Sequence, residues 1–366
     1  MVQIVRGELT DFRLGHVFPV YVNEGDTTLS KGNFVLCNSY LSAGKVKTLL
    51  SWGISTPPHY RRGGNVRRMF DYVHGYASSE GVAVSLMHPF SFSYYEKLGY
   101  EKMADHRIVK CPTRLIDFVP RACNFVPYDD SRFDDLCKIY DGFARGRTGL
   151  LEKLELRTYR EKQEAYILYL RGEPSAYIVF STEKTLFVNN YRDTRLVVHE
   201  LAYTSPEALS EIFSFIRMFE GELDEVHFEN LAPAYEAELM LRHYTHTDYK
   251  LLPDLAARII NTELALSANL YPSVEGSFTL RVIDSLSTVD GSFLVEFGGG
   301  DSRVRRIESA SPDITLTAGA LARLVYGYDG VCADSLRYMK GVELAANADV
   351  VALAFPRRSV GVFEHF

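Results

Sequence analysis

The stretch HYRRGGNVRRMF, His59 to Phe70, constrains this chain more than any other. An apolar run ends just before it, two arginines lead into two glycines, and a helical pattern begins at once. Adjacent glycines let the backbone turn into conformations closed to other residues. Three readings compete: a nucleic-acid patch, a turn with solvated arginines, and a cradle for phosphates.

The formal charge of −7 and the absence of a DNA-binding setting argue against the first. A dinucleotide fingerprint needs GxGxxG after a strand, and a Walker loop needs GKS or GKT; neither spacing occurs here. Placement favours the cradle over the solvated turn. Free amides at a helix start point at anions, Gly63 and Gly64 allow close approach, and Arg61, Arg62 and Arg67 add charge. The residues alone point to a pyrophosphate-bearing ligand.

The flanks give an α/β unit. GNFVLCNSYL and GKVKTLLSWGIST read as strands, the segment after the turn as a helix with Val66, Met69, Phe70, Val73 and Ala77 on one face. VAVSLMHPF is a short apolar strand, SFSYYEKLGYEKM a short helix ending at Gly99, and HRIVKCP a strand closing at Pro112. A second strand-and-helix unit starts near Arg121, with a hairpin turned at Arg171 and Gly172 and a helix capped at Ser205 before Pro206. It lacks the arginine-glycine turn. From about Leu251 the pattern becomes α+β: GSFTLRVIDS and GSFLVEFGGG are strands, and DITLTAGALARLVYGY joins a strand to a helix.

At this point STPPHYRRGGNVRRMF, VAVSLMHPF and YYEKLGY together resemble the cofactor half of the GNAT acetyltransferase superfamily. The resemblance is closest to the family of the mycobacterial enhanced intracellular survival (Eis) protein. PDITLTAGALARLVYGYD and the aromatic C-terminus are similar to that family's sterol carrier protein type 2-like domain. The resemblance implies an α/β and α+β multidomain fold. Residues 1–112 are an acetyl-CoA-binding GNAT domain shortened at its N-terminus. Residues 113–250 form a second GNAT-like domain without the cofactor motif, and 251–366 the sterol-carrier-like domain with a catalytic tail.

The resemblance also implies an activity: acetyl transfer from acetyl-CoA to a primary amine on an aminoglycoside, polyamine or lysine-like acceptor. The backbone around Ile54, Ser55 and Thr56 would pair with the pantetheine arm. Arg61, Arg62, Gly63, Gly64, Asn65, Val66 and Arg67 would cradle the pyrophosphate, and Phe90 and Ser91 would line the cofactor. Tyr95 stands where the family places its general acid, and the carboxylate of Phe366 where it places the general base, with His365 beside it. A homo-hexamer is implied in the same way. The chemistry is coherent in itself: an attacking amine needs a base, a departing thiolate needs a proton, and no covalent enzyme intermediate is required.

The chain departs from the family pattern in three places. Val66 stands where glycine or alanine is usual, and Asn65 where an apolar residue is usual. Only about thirty residues precede Gly32, with weak helical periodicity, so DFRLGHVFPVYV is a residual strand or a reshaped substrate wall. The competing expectation is a catalytically poor binding protein that holds an apolar ligand in its third unit.

Other residues have plainer roles. Trp52 is a core residue or a wall of the acceptor pocket. His59 and His88 flank the turn motif as capping or packed residues. The acidic YDDSRFDDL reads as a helix start or a lure for cationic acceptors. The ten histidines form no HExxH and the five cysteines no CxxC, so no metal is expected. Unpaired cysteine spacing and the lack of a signal or an 18-residue apolar run predict a cytoplasmic protein with no membrane span and no nucleic-acid partner.

Overall fold

The computed structural model describes residues 2–12, 14–118, 124–155, 163–188, 191–308, 311–364 and 366. The chain opens with strands: β1 (Val2–Arg6), β2 (Thr10–Phe12), β3 (Gly15–Glu24), β4 (Thr27–Leu41) and β5 (Gly44–Ser55). The thirty residues expected to carry weak helical periodicity therefore pair as antiparallel strands. The reason is legible in β3, where Phe18, Val20 and Val22 are buried at every second position.

The remaining elements of the first unit are α1 (Asn65–Ser79), β6 (Val84–Met87), α2 (Phe92–Glu96) and β7 (Glu101–Pro112). The second contains β8 (Phe125–Pro127), α3 (Phe133–Ala144), β9 (Gln163–Leu170), β10 (Glu173–Val188), β11 (Tyr191–Tyr203), α4 (Pro206–Arg217), β12 (Glu225–Phe228), α5 (Tyr235–Leu239) and β13 (Asp248–Ile259). Arg171 and Gly172, both at positive φ, turn the β9–β10 hairpin. The Ser205 side chain accepts from the Ala208 amide to cap α4.

All of these strands join one sheet of 13 among the described residues, in the order β1-β3-β4-β5-β6-β13-β7-β12-β11-β10-β9-β8, with β2 on β3. One strand crosses an expected domain limit. β13 inserts antiparallel between β6 and β7, pairing Ala256 with Met87 and Leu252 with His106. The expected boundary at 250/251 falls inside this strand. Its second half, Leu255–Ile259, is buried within the sheet, so the end of the second unit completes the sheet of the first.

The third unit begins after β13: α6 (Thr262–Ser267), β14 (Gly276–Ile283), β15 (Gly291–Gly298), β16 (Asp301–Ile307), β17 (Ile314–Thr317), α7 (Ala318–Tyr326), α8 (Ala333–Leu336), β18 (Val342–Leu344) and α9 (Ala348–Ala354). Five strands form its sheet, in the order β16-β15-β14-β17-β18. Leu280, Val282, Phe293, Val295 and Tyr326 fill its interior, in one continuous core with Leu50, Leu86 and Leu255 of the large sheet. Arg258 on β13 fastens this junction. Its guanidinium donates to the Leu98 carbonyl at 2.6 Å and pairs with Asp284 at 2.7 Å, both partners of the ion pair being buried.

Candidate active site

The site is built on a gap between two strands. β5 and β6 run parallel and pair from Thr48–Val84 to Ser51–Met87, where the ladder stops. From Trp52 to Ser55, β5 continues with pairing only toward β4. Gly53, at φ 63, takes the bulge on that side. Backbone groups of Ile54 and Ser55 on the β6 side are therefore open to a ligand.

The chain then turns. Arg62 (φ 65) and Gly64 (φ 76) adopt left-handed backbone, and α1 starts at Asn65 with no side chain capping it. The amides of its first turn are left for an external acceptor, reinforced by the helix dipole. Asn65 is buried and holds the turn: its amide nitrogen donates to the Tyr60 carbonyl at 3.4 Å, and its oxygen accepts from Arg68 at 3.1 Å. This explains a polar residue where an apolar one was expected. Val66 packs partly on the core of the first unit and partly lines the cavity.

Gap and turn meet at a cavity of about 830 Å³. Of the expected cofactor residues, Ile54, Ser55, Thr56, Arg61, Arg62, Gly64, Asn65, Val66, Arg67 and Phe90 line it. Gly63 and Ser91 do not. Four lining residues were missed from sequence: Tyr60, Tyr94, Lys97 and Leu98. The signal was present, since Tyr94, Lys97 and Leu98 belong to the quoted YYEKLGY. α2 presents Tyr94 to the cavity, and the turn after it presents Lys97 and Leu98. Lys97 brings a further positive charge, and its carbonyl accepts from Arg67 at 2.6 Å.

Tyr95 does not line the cavity. It is 4% exposed, with ring contacts to Phe90 at 5.5 Å and Tyr94 at 5.1 Å, both of which do line it. Burial, then the neighbouring Tyr100 and Tyr94, push its pKa well above the usual tyrosine value, so it remains a proton donor at neutral pH. Trp52 also lies outside the cavity lining and is half-buried against the larger core.

Phe366 reaches the same region from the far end of the chain. The tail is threaded across the second unit. The Thr148 amide donates to the Ser359 carbonyl at 3.1 Å, the Gly361 amide to the Thr148 carbonyl at 3.1 Å, and Asn230 to the Val362 carbonyl at 3.0 Å. Phe363 stacks toward Phe143. Lys153 then clasps Glu364 at 2.6 Å and Glu200 at 2.9 Å, all three side chains being at most 12% exposed. The Phe366 ring ends 4.6 Å from the His88 ring, just past β6. His88 is oriented by Asp254 of β13, 2.8 Å from its Nδ1. His365 lies outside the described residues.

Comparison with known proteins matches these units. Residues 15–103 match the family described as Acetyltransferase (GNAT) domain, residues 147–259 match a second family of the same description, and residues 262–360 match the Sterol carrier protein domain. Two GNAT acetyltransferase domains in one chain make it an acetyl-CoA-dependent acetyltransferase. Its two GNAT units precede a sterol carrier protein domain, and the second match runs to 259, through β13.

Solved GNAT structures resemble the whole chain in fold. A GCN5-related N-acetyltransferase from Anabaena variabilis superposes with a TM-score of 0.81 at 19% identity, covering 95% of this chain and 89% of that one. One from Kribbella flavida gives 0.78 at 17%, covering 95% and 87%. Eis1 from Mycobacterium abscessus gives 0.77 at 15%, covering 95% and 91%. No curated protein matches the sequence significantly.

The acetyltransferase site fits acetyl-CoA on two independent features. An uncapped helix start with Arg61, Arg62, Arg67 and Lys97 around it suits the pyrophosphate, and the interrupted β5–β6 ladder suits an extended amide-bearing arm. Among the described residues no group of three or more histidine, cysteine or acidic side chains is placed to hold a metal, and no helix is long and apolar enough to cross a membrane.

Proposed function

We propose that the chain is an N-acetyltransferase of the Eis type. It transfers acetyl from acetyl-CoA to a primary amine by direct attack. The observation that carries this is the convergence of the uncapped turn at Gly64, the open edge of β5, and α2 on one cavity, α2 presenting Tyr94 with Tyr95 packed behind it and against Phe90. Ile54, Ser55 and Thr56 pair with the pantetheine amides, and Arg61 to Arg67 hold the pyrophosphate. Phe90 and Ser91 line the cofactor near the gap between β5 and β6, a reading that Phe90's place on the cavity wall supports.

Tyr95 protonates the departing thiolate; its ring contacts with Phe90 and Tyr94, which line the cavity, support this role. The carboxylate of Phe366 accepts the amine proton; the ring contact with His88 supports the tail's arrival beside β6. The acceptor is an aminoglycoside, a polyamine or a lysine-like amine. Trp52 walls its pocket. A homo-hexamer and a cytoplasmic location complete the reading. Four cysteines free of disulfides, Cys37, Cys111, Cys137 and Cys332, agree with a reducing compartment.

The test is calorimetry with acetyl-CoA, followed by turnover with each amine class. Absence of acetyl-CoA binding refutes the reading. A chain extended beyond Phe366 by a few glycines then isolates the base: binding is retained and turnover collapses, whereas unchanged turnover removes the carboxylate from the mechanism. Light scattering tests the hexamer.

A further inference from the structure

A second cavity, of about 360 Å³, lies where the three units meet. Its wall combines β7 (Asp105, Arg107), the segment after α3 (Arg145, Arg147), α5 (Tyr235, Glu236) and the start of the tail (Arg357, Arg358). Five guanidinium groups around one small space is an unusual concentration in a chain of net charge −7.

Counting partners shows which charges are answered. Arg107 is held by both oxygens of Glu238, and Arg147 by Glu236 at 2.9 Å. Asp105 is taken by Lys102 and the Tyr328 hydroxyl. Three guanidinium groups remain without a carboxylate among the described residues. Arg145 and Arg357 are exposed, and Arg357 lies 5.3 Å from the centre of the Tyr235 ring, as does Arg107. Arg358 meets only neutral acceptors, Asn269 at 3.3 Å and the Leu270 carbonyl at 2.5 Å. Its pKa falls to about 10, chiefly through burial.

Like charges repel, and a rigid cleft concentrates their field. Planar guanidinium groups recognise phosphate and carboxylate oxygens two at a time. We propose that this junction cavity binds a small, multiply charged anion through Arg145, Arg357 and Arg358. The bound anion ties the second unit, through Arg145, to the root of the tail, through Arg357 and Arg358. The lining shares no residue with the acetyl-CoA cavity, so this site is separate from the pyrophosphate cradle.

The experiment uses the full chain saturated with CoA, so that the cradle is filled. Pyrophosphate, inorganic phosphate and citrate are titrated separately at fixed ionic strength, by calorimetry and by thermal unfolding. At least one of the three binds saturably, one per chain, and raises the unfolding midpoint; comparing phosphate-bearing probes with citrate tells which oxyanion chemistry is preferred. In the Arg145→Gln/Arg357→Gln variant that affinity falls tenfold or more while CoA affinity is unchanged. Both side chains are exposed, so the variant folds. The proposal is overturned by absence of saturable binding for all three probes. Equal binding by the double variant, or binding only when CoA is left out, overturns it equally.

Discussion

Replacing Lys153 by methionine tests how the tail is held. The wild-type ammonium is buried with Glu200 and Glu364, at 2.9 and 2.6 Å. Burial alone would lower its pKa, but attraction to the two carboxylates outweighs this and the net shift is upward. The Tyr177 hydroxyl also donates to Glu200. Methionine keeps most of the volume and removes the charge, leaving two buried carboxylates side by side.

Breaking a buried pair in this way costs about 3–5 kcal/mol. The cheapest escape is for Glu364 to leave with the tail, so the cost falls on tail docking. At about 1.4 kcal/mol per decade, amide protection over residues 359–364 drops by roughly two to four orders of magnitude. The pH dependence has a definite sign. Without the cation Glu200, already held above its ordinary value chiefly by burial, prefers its proton in the docked state. Its folded pKa lies above the unfolded value of 4.5, and the docking deficit grows as pH rises above it. Hydrogen exchange at pH 6 and 8, with turnover on the same samples, reads this out. The Lys153→Met/Glu364→Gln variant restores part of the protection. Wild-type protection of the tail in Lys153→Met at pH 8 would refute the reasoning.

Three further outcomes follow from the same geometry. On the proposed role of its hydroxyl as the acid and not a ligand, Tyr95→Phe lowers turnover a hundredfold or more while acetyl-CoA affinity in calorimetry stays unchanged; undiminished turnover removes it from the mechanism. Gly99→Ala adds a Cβ at φ +83 that meets the Arg258 guanidinium at 1.5 Å, displacing a buried pair, and costs about 3 kcal/mol or more in chemical denaturation; a cost under about 1 kcal/mol contradicts the packing. His74 is buried against Tyr100 and its pKa is held well below 6.5, first by burial and then by Arg258. With the folded value depressed, its stability contribution is full above pH 6.5 and is lost below it, by up to about 1.4 kcal/mol per pH unit. His74→Gln, compared by urea midpoints between pH 5 and 7, flattens that slope.

Much of the site was readable because its chemistry is local. A strand, two glycines and a helix start within a dozen residues generate an anion cradle from backbone geometry alone. The arginines and Phe90 of that reading do line the cavity. The Ser205 cap and the Arg171–Gly172 turn are local for the same reason. What failed was non-local. Asp248–Ile259 carries the same strand signal wherever it docks, and the sequence reading divided it at 250/251 between the second and third units; only its hydrogen bonds to β6 and β7 reveal that it completes the first sheet.

The sequence by itself determined the three-unit order and the glycine turn into a helix start, because period and turn chemistry act between near neighbours. Tertiary structure alone decided the company each residue keeps. It brought Phe366 to His88 across 278 positions of chain, gathered Lys153, Glu200 and Glu364 into one buried cluster, and left Arg145, Arg357 and Arg358 lining one cleft with no carboxylate partner of their own among the described residues. These contacts depend on how distant surfaces exclude water together and on which charges are buried in the process. No window of sequence contains that information.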